Sequence, residues 1–197
     1  SKGHADVVSM ARPFLADAEF VKKSVENKSD EINTCIGCNQ ACLDHVFQQK
    51  RASCLVNPTA CYETELTFDK AKQNKRIAVV GAGPAGLAFS VYAAQRGHKV
   101  EIFDRANEIG GQFNFAKQVP GKEEFYETIR YFNKQISLHD IKVHLSTEAT
   151  AEDLTQNGFD EIVIATGILP RKLDIEGIEH EKVKSYLDVL RDKQPIG

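Results

Sequence analysis

The sequence predicts an α/β fold built on a parallel sheet, with a cysteine-rich segment ahead of it. Three observations carry that expectation. From residue 76 the chain alternates short apolar strands with helices; a glycine-rich turn joins the first strand to the first helix; and four of the five cysteines fall between residues 35 and 54. The 197 residues, 42% hydrophobic and 27% charged, suffice for one ordinary core and part of a second. Lys+Arg number 25 against 28 Asp+Glu, a net charge of −3 with no basic stripe, which argues against nucleic acid as a partner. The longest apolar runs, 77–80 and 162–165, are strand-sized, so no membrane span is expected, and nothing at the start resembles a signal peptide. An odd number of closely spaced cysteines suits metal or cluster ligation in a reducing compartment, which places the protein in the cytoplasm.

Residues 5–10 form an apolar run of strand type with no earlier strand to pair with, and the turn-rich exit at 192–197 closes nothing, so both ends read as cut from a longer chain. Residues 13 to about 25 read as a helix carrying Phe14, Leu15, Phe20 and Val21, and 26–34 as a polar loop. The cysteine segment runs over 35–61 and a polar connector over 62–75. A strand at 77–80, a glycine turn at 81–86, a helix to about 95 and a strand at 99–103 then make a βαβ unit. A helix follows with Phe125, Ile129, Phe132 and Ile136 on one face, then a strand at 141–145, a short helix at 151–156 and a buried strand at 161–165. A last short helix is expected at 187–190.

The strongest chemical signal is Cys35-x-x-Cys38-x-x-x-Cys42, followed after eleven residues by Cys54. Four thiolates converging on one point can hold a cubane iron–sulfur cluster, each iron taking one protein sulfur. Structural zinc is the competitor, but it usually uses two C-x-x-C knuckles, which this spacing does not supply. Cys61 stands outside the pattern and reads as a small buried or idle thiol.

The second motif is Gly81-Ala82-Gly83-Pro84-Ala85-Gly86, directly after a strand and opening a helix. Gly81 permits the tight turn, Gly83 lets backbone approach a pyrophosphate, Gly86 lets helix and strand pack closely, and the helix start offers amide donors. Pro84 fits the first helical turn. Asp104 closes the next strand eighteen residues after Gly86, where a carboxylate accepts from ribose hydroxyls. Together these point to a Rossmann-like dinucleotide site; spacing alone leaves FAD and NAD(P) both open, although an acid at 104 disfavours a 2′-phosphate. Gly110-Gly111-Gln112 is a second glycine turn that either approaches the ligand or is an ordinary turn. Thr166-Gly167 ends a strand at the sheet edge where ligands sit. The six histidines form no metal-binding spacing, no nucleophile elbow occurs, and no complete acid–base site is legible, so no catalytic residue is assigned. The expected business of the chain is electron carriage.

The succession Met10-Ala11-Arg12-Pro13-Phe14-Leu15-Ala16-Asp17, then Cys35-Ile36-Gly37-Cys38-Asn39-Gln40-Ala41-Cys42-Leu43-Asp44, then Cys54-Leu55-Val56-Asn57-Pro58 and the GAGPAG turn resembles the bacterial NADPH-dependent 2,4-dienoyl-CoA reductases, within the wider trimethylamine dehydrogenase and old-yellow-enzyme-like group. The resemblance continues through Gly110-Gly111-Gln112-Phe113-Asn114 and residues 120–126 and covers essentially the whole chain. It implies a three-part flavoprotein: a (β/α)8 barrel with FMN and the substrate, a 4Fe-4S segment, and FAD and NADPH domains, with electrons passing from NADPH to FAD, cluster, FMN and dienoyl-CoA. Carried onto this sequence, residues 1–30 are the end of the FMN barrel, with its last strand at 5–10. Residues 31–75 are the cluster segment and connector, and 76–197 the first part of the FAD domain. Ala11 and Arg12 are implied as FMN phosphate contacts, and Cys35, Cys38, Cys42 and Cys54 as cluster ligands. Gly81, Gly83, Pro84, Ala85, Gly86, Asp104, Gly111, Gln112, Thr166 and Gly167 are implied for FAD, with Ala149 near the adenine and Lys122 as a further candidate. Most of the barrel and the NADPH domain are missing, so this chain by itself is expected to be inactive. Three other readings stand beside this one: another iron–sulfur flavin oxidoreductase of the same group, a non-enzymatic module with structural zinc and a nucleotide, and an electron-transfer subunit serving a separate catalytic chain, which the barrel-like first seventeen residues disfavour.

Overall fold

Short helices carry the front of the chain: α1 (Arg12–Ala16), α2 (Phe20–Val25) and α3 (Leu43–Phe47), with a 3-10 turn at Ser29–Glu31. From residue 76 the elements alternate: β1 (Arg76–Val80), α4 (Pro84–Gln95), β2 (Lys99–Phe103), α5 (Phe113–Ala116), α6 (Phe125–Leu138), β3 (Lys142–His144), α7 (Ala151–Gln156), β4 (Glu161–Ile164) and α8 (Tyr186–Leu190). This computed structural model describes residues 3–171 and 173–196; the expectations that touch Ser1, Lys2, Lys172 and Gly197 lie outside the described residues.

The four strands form one parallel sheet in the order β3-β2-β1-β4. β1 is central, with Val79 opposite Ile102 of β2 on one side and Val163 of β4 on the other. The chain builds outward from β1 through β2 to β3 and then returns to place β4 on the far side of β1. The strand order therefore reverses between β1 and β4, which is where open α/β sheets bind ligands. α4 packs on β1, β2 and α6, burying Leu87 and Val91; the Ser90 hydroxyl, fully buried, donates to the Gly86 carbonyl at 2.7 Å. α6 turns Phe132 and Tyr131 into the same core. The helix at 151–156 forms as expected, closed by a capping box in which Asp153 N donates to Thr150 Oγ1 and Asp153 Oδ2 accepts from Thr150 N. Among the described residues no helix is long and apolar enough to cross a membrane.

Four expectations need correction. Residues 5–10 form no strand and lie exposed, because a strand needs a neighbour for its backbone hydrogen bonds and none stands beside this run. The (β/α)8 barrel end implied for residues 1–30 is thus not seen. The single helix over 13–25 is two helices, parted at Asp17. That residue adopts extended backbone, and its carboxylate captures the Glu19 and Asn33 amides, each at 2.9 Å, an alternative to helical hydrogen bonding. The strand expected to be buried at 161–165 is an edge strand, with Ile164 68% exposed, because among the described residues no element pairs with its outer edge. α5 was not foreseen at all; it is one turn, held by stacking of Phe113 on Phe125 at 4.6 Å.

Candidate functional site: a dinucleotide groove and a four-cysteine cavity

The glycine turn is built by close approach. Gly81 has φ +113°, and a Cβ there would stand 2.3 Å from the Ala165 carbonyl oxygen, so only glycine lets β1 turn beside β4. A Cβ at Gly86 would stand 2.0 Å from the Gly81 oxygen, which is why α4 can start so close to the strand. Gly83 is different: a Cβ there meets nothing within 4 Å, so this backbone faces open space at the start of α4. Pro84 begins the helix, and the Ala85 and Gly86 amides of the first turn have no intrahelical acceptor, the donors and positive helix end that favour a phosphate.

Asp104 braces this turn. Its Oδ2 accepts from Ala82 N at 2.6 Å and its Oδ1 from Ala106 N at 2.8 Å, leaving each oxygen a further lone pair for a ligand hydroxyl. The groove above the sheet encloses about 970 Å³ of space, part of it open to solvent, and brings together Gly81, Asp104, Glu148, Ala149, Thr166 and Gly167 from the ends of all four strands. The second glycine turn docks on the first: Gly110 N donates to Ala82 O at 2.7 Å, and a Cβ on Gly111 would stand 3.1 Å from Gly83 Cα. Gln112 links this turn to the chain beyond β4, donating to Ile168 O at 2.7 Å and accepting from the Tyr186 hydroxyl at 3.0 Å. Lys122 stands apart from the groove lining, its ammonium 5.4 Å over the Phe125 ring. A groove with a backbone cradle, a free helix start and a carboxylate among the strand ends fits a dinucleotide.

The second site is a cavity of about 330 Å³, partly open, walled by Cys35, Cys38, Cys42 and Cys54 with Arg12 and Val56 among its other walls. The loop between the first cysteines curls through Gly37 and Asn39, both at positive φ, and Ser53 N donates to Ala41 O at 2.8 Å, bringing Cys54 beside Cys42. Burial pushes the Cys54 thiol up, while hydrogen bonds from the Val56 and Asn57 amides pull the other way, toward thiolate. Arg12 donates to Asn39 Oδ1 at 2.8 Å. Among the described residues no three His, Cys, Asp or Glu side chains are grouped to hold one metal ion, yet four cysteines share one cavity. In a cubane each cysteine binds a different iron, so its ligands stand farther apart than those of a single ion. Four thiol donors lining one cavity suit a group that takes one protein sulfur per iron. Cys61 does not line it. Ala11 lies exposed just ahead of α1.

Sequence reasoning missed the polar frame behind this cavity. The buried Asp17 carboxylate accepts from Lys23 Nζ at 2.6 Å and from Asn33 N at 2.9 Å; Asn33 Nδ2 donates to Val56 O at 2.6 Å, and Asn57 Nδ2 to Leu15 O at 2.9 Å. Partners 16 to 42 residues apart leave no periodic signal that a reading of the chain could find. Tyr92 of α4 is stacked on Phe68 at 4.1 Å, and its hydroxyl is pushed up to about 12, first by burial and then by the charge of Asp17 and Cys54.

A glycine cradle at the switch point of a parallel sheet fits a dinucleotide-binding protein, and the same chain carries a four-cysteine cavity. Residues 75–196 match the pyridine nucleotide-disulphide oxidoreductase family, and the chain belongs to it, with an FAD- and NAD(P)-binding type of domain. Over its full length the chain is 40% identical to a metal reductase of Desulforamulus reducens, covering 30% of that protein. It is 34% identical over 99% of its length to a cinnamate reductase of Clostridium sporogenes, covering 29%. The solved structure of a 2-naphthoyl-CoA reductase in complex with 2-naphthoyl-CoA superposes with a TM-score of 0.93 at 38% identity, over 99% of this chain and 30% of that one. The chain thus spans about a third of the length of the relatives it matches.

Proposed function

We propose that the whole protein is a cytoplasmic iron–sulfur flavoenzyme that reduces a conjugated double bond of an unsaturated acyl-CoA, with 2,4-dienoyl-CoA as substrate and NADPH as electron donor, in the oxidation of unsaturated fatty acids. The observation that carries this reading is a four-cysteine cavity and a dinucleotide groove on one chain. The cinnamate and naphthoyl-CoA reductases lend support, since both names describe reduction of a conjugated system. The chemistry the bound groups supply is two-electron acceptance from NADPH at FAD and single-electron relay through a 4Fe-4S cluster to FMN.

Gly83, Ala85 and Gly86, with Pro84 setting the helix start, offer backbone to the diphosphate of FAD. Asp104 offers its free lone pairs to the ribose, and Ala149, Thr166 and Gly167 line the groove around it. Gly111 and Gln112 continue the cradle from Gly81 toward α8. Cys35, Cys38, Cys42 and Cys54 hold the cluster, and the Val56 and Asn57 amides favour the electron-rich sulfur of Cys54. Arg12 spends one of five donors on Asn39 and keeps the others for an FMN phosphate beside Ala11. The partner is a small molecule, and the proton donor to substrate belongs to the barrel.

The deciding experiment is iron and acid-labile sulfide analysis, with zinc as control, on the full-length protein purified without oxygen, followed by NADPH oxidation with 2,4-dienoyl-CoA. About four irons and four sulfides per chain, as a cubane requires, together with dienoyl-CoA-dependent turnover, uphold the proposal. Stoichiometric zinc without sulfide replaces the relay by a structural zinc module. A loaded enzyme that ignores dienoyl-CoA but turns over a cinnamate or a methylated amine moves the assignment to another member of the same oxidoreductase group.

A further inference from the structure

Helix α6 belongs to the nucleotide-binding half, yet one of its side chains reaches the backbone that presents the first cysteine. Tyr131 and Phe132 anchor α6 in the core beside α4. From the same turn, Arg130 Nη2 donates to Ile32 O at 2.8 Å and to Thr34 Oγ1 at 3.3 Å, and its Nη1 donates to Asp30 O. Its Nε donates to Glu127 Oε2 at 2.6 Å one turn back, which fixes the plane of the guanidinium before it meets the loop. One turn on, Lys134 pairs with Asp30 Oδ2 at 2.8 Å. The clamped stretch runs straight into Cys35, and Asn33 within it is the residue that ties Asp17 to the Val56 carbonyl two residues past Cys54.

We propose that Arg130 is a positioning residue: through the 30–34 loop it couples the nucleotide-binding half to the cysteine cavity, so that FAD binding and cluster retention support each other. The reason lies in the donor geometry. A planar fork satisfies two carbonyls and a hydroxyl at once, whereas a lysine ammonium on a flexible stem cannot hold all three in one plane. α6 packs on α4, which starts three residues after Gly81 of the groove lining, so whatever firms that helix pair also firms the anchor of the loop. Coupling of this kind is reciprocal: a ligand in the groove slows opening of the cavity, and a filled cavity tightens the groove. The inference rests on the proposed cluster at the four cysteines.

The test uses the full-length protein purified without oxygen. Iron release to a ferrous chelator is timed with FAD bound and after FAD removal, in wild type, Arg130→Met, Arg130→Lys and Lys134→Met. In wild type, FAD slows release. Arg130→Met accelerates release roughly tenfold, the scale of losing charged hydrogen bonds, and abolishes the dependence on FAD while FAD affinity in the cluster-free protein stays unchanged. Arg130→Lys falls between the two, and Lys134→Met, which removes a single exposed ion pair, changes release less than twofold. A purely structural role for Arg130 predicts faster release with the FAD dependence intact. That result, or unchanged release in both Arg130 variants, overturns the inference while leaving the cluster in place. A wild-type protein without iron and sulfide overturns the cluster reading and this inference together.

Discussion

The two halves of the chain are held together by different physics. Beyond residue 76 the core is a continuous apolar cluster in which Ile77, Val79, Leu87, Val91 and Ile102 interlock between sheet and helices. Ahead of it, among the described residues, the buried apolar side chains are only Ala16, Ile36, Ala41 and Ala60, and the helices run to six residues at most. Burial of alanine returns little free energy, on the order of 1 kcal/mol for its one carbon. Asp17, Asn33 and Asn57 do the holding instead, each spanning from one loop to another. A hydrophobic core makes the nucleotide half self-sufficient. The cysteine half depends on a polar frame and on whatever fills its cavity, because ligation and local folding are coupled.

That contrast can be broken most directly by metal removal. Stripping the proposed cluster from the full-length protein without oxygen is expected to raise amide hydrogen exchange strongly across 12–61 and leave the strands of the sheet protected; uniform loss of protection would show a single cooperative unit. Gly81→Ala is the mirror-image variant. A Cβ at φ +113°, 2.3 Å from the Ala165 oxygen, costs about 3 kcal/mol. FAD content and the urea midpoint should drop, and iron release should quicken only to the rate of the FAD-free wild type, the limit that the coupling through Arg130 sets. Asn33→Ala removes the bridge from Asp17 to Val56 and costs about 1–2 kcal/mol. It is expected to speed iron loss while leaving FAD affinity of the cluster-free protein unmoved, so a fall in that affinity would show that the frame extends into the groove.

The smallest effect concerns pH. Burial pushes Glu101 up, but hydrogen bonds from Arg76 and His144 outweigh it, and its carboxyl sits below the ordinary value of 4.5. A lowered folded-state value means stabilisation that is present above pH 4.5 and lost as pH falls through the folded value. Glu101→Gln should therefore lower stability by about 1 kcal/mol at pH 7 and flatten the acid side of the stability curve. Chemical denaturation at pH 7, 5 and 4 measures it, and an unchanged slope would remove Glu101 from the account.

Legibility along the chain follows the same division. The βαβ unit, the glycine turn, Asp104 and the helix at 151–156 were readable because period, turn chemistry and capping act between residues a few positions apart. The cysteine set was readable for the same reason, its ligand spacing being local. The sequence by itself determined the α/β class, the parallel sheet around β1 and where the two candidate sites fall in the chain. Tertiary structure decided the break at Asp17, where a carboxylate found a partner 16 residues away and ended a helix whose apolar pattern continued. It decided that β4 lies at an edge with Ile164 open, and that residues 5–10 pair with nothing, since burial and strand pairing depend on neighbours and not on a residue's own apolarity. It also decided the reach of Arg130 across 96 to 100 residues to the doorstep of Cys35, a contact set by where two folded surfaces meet.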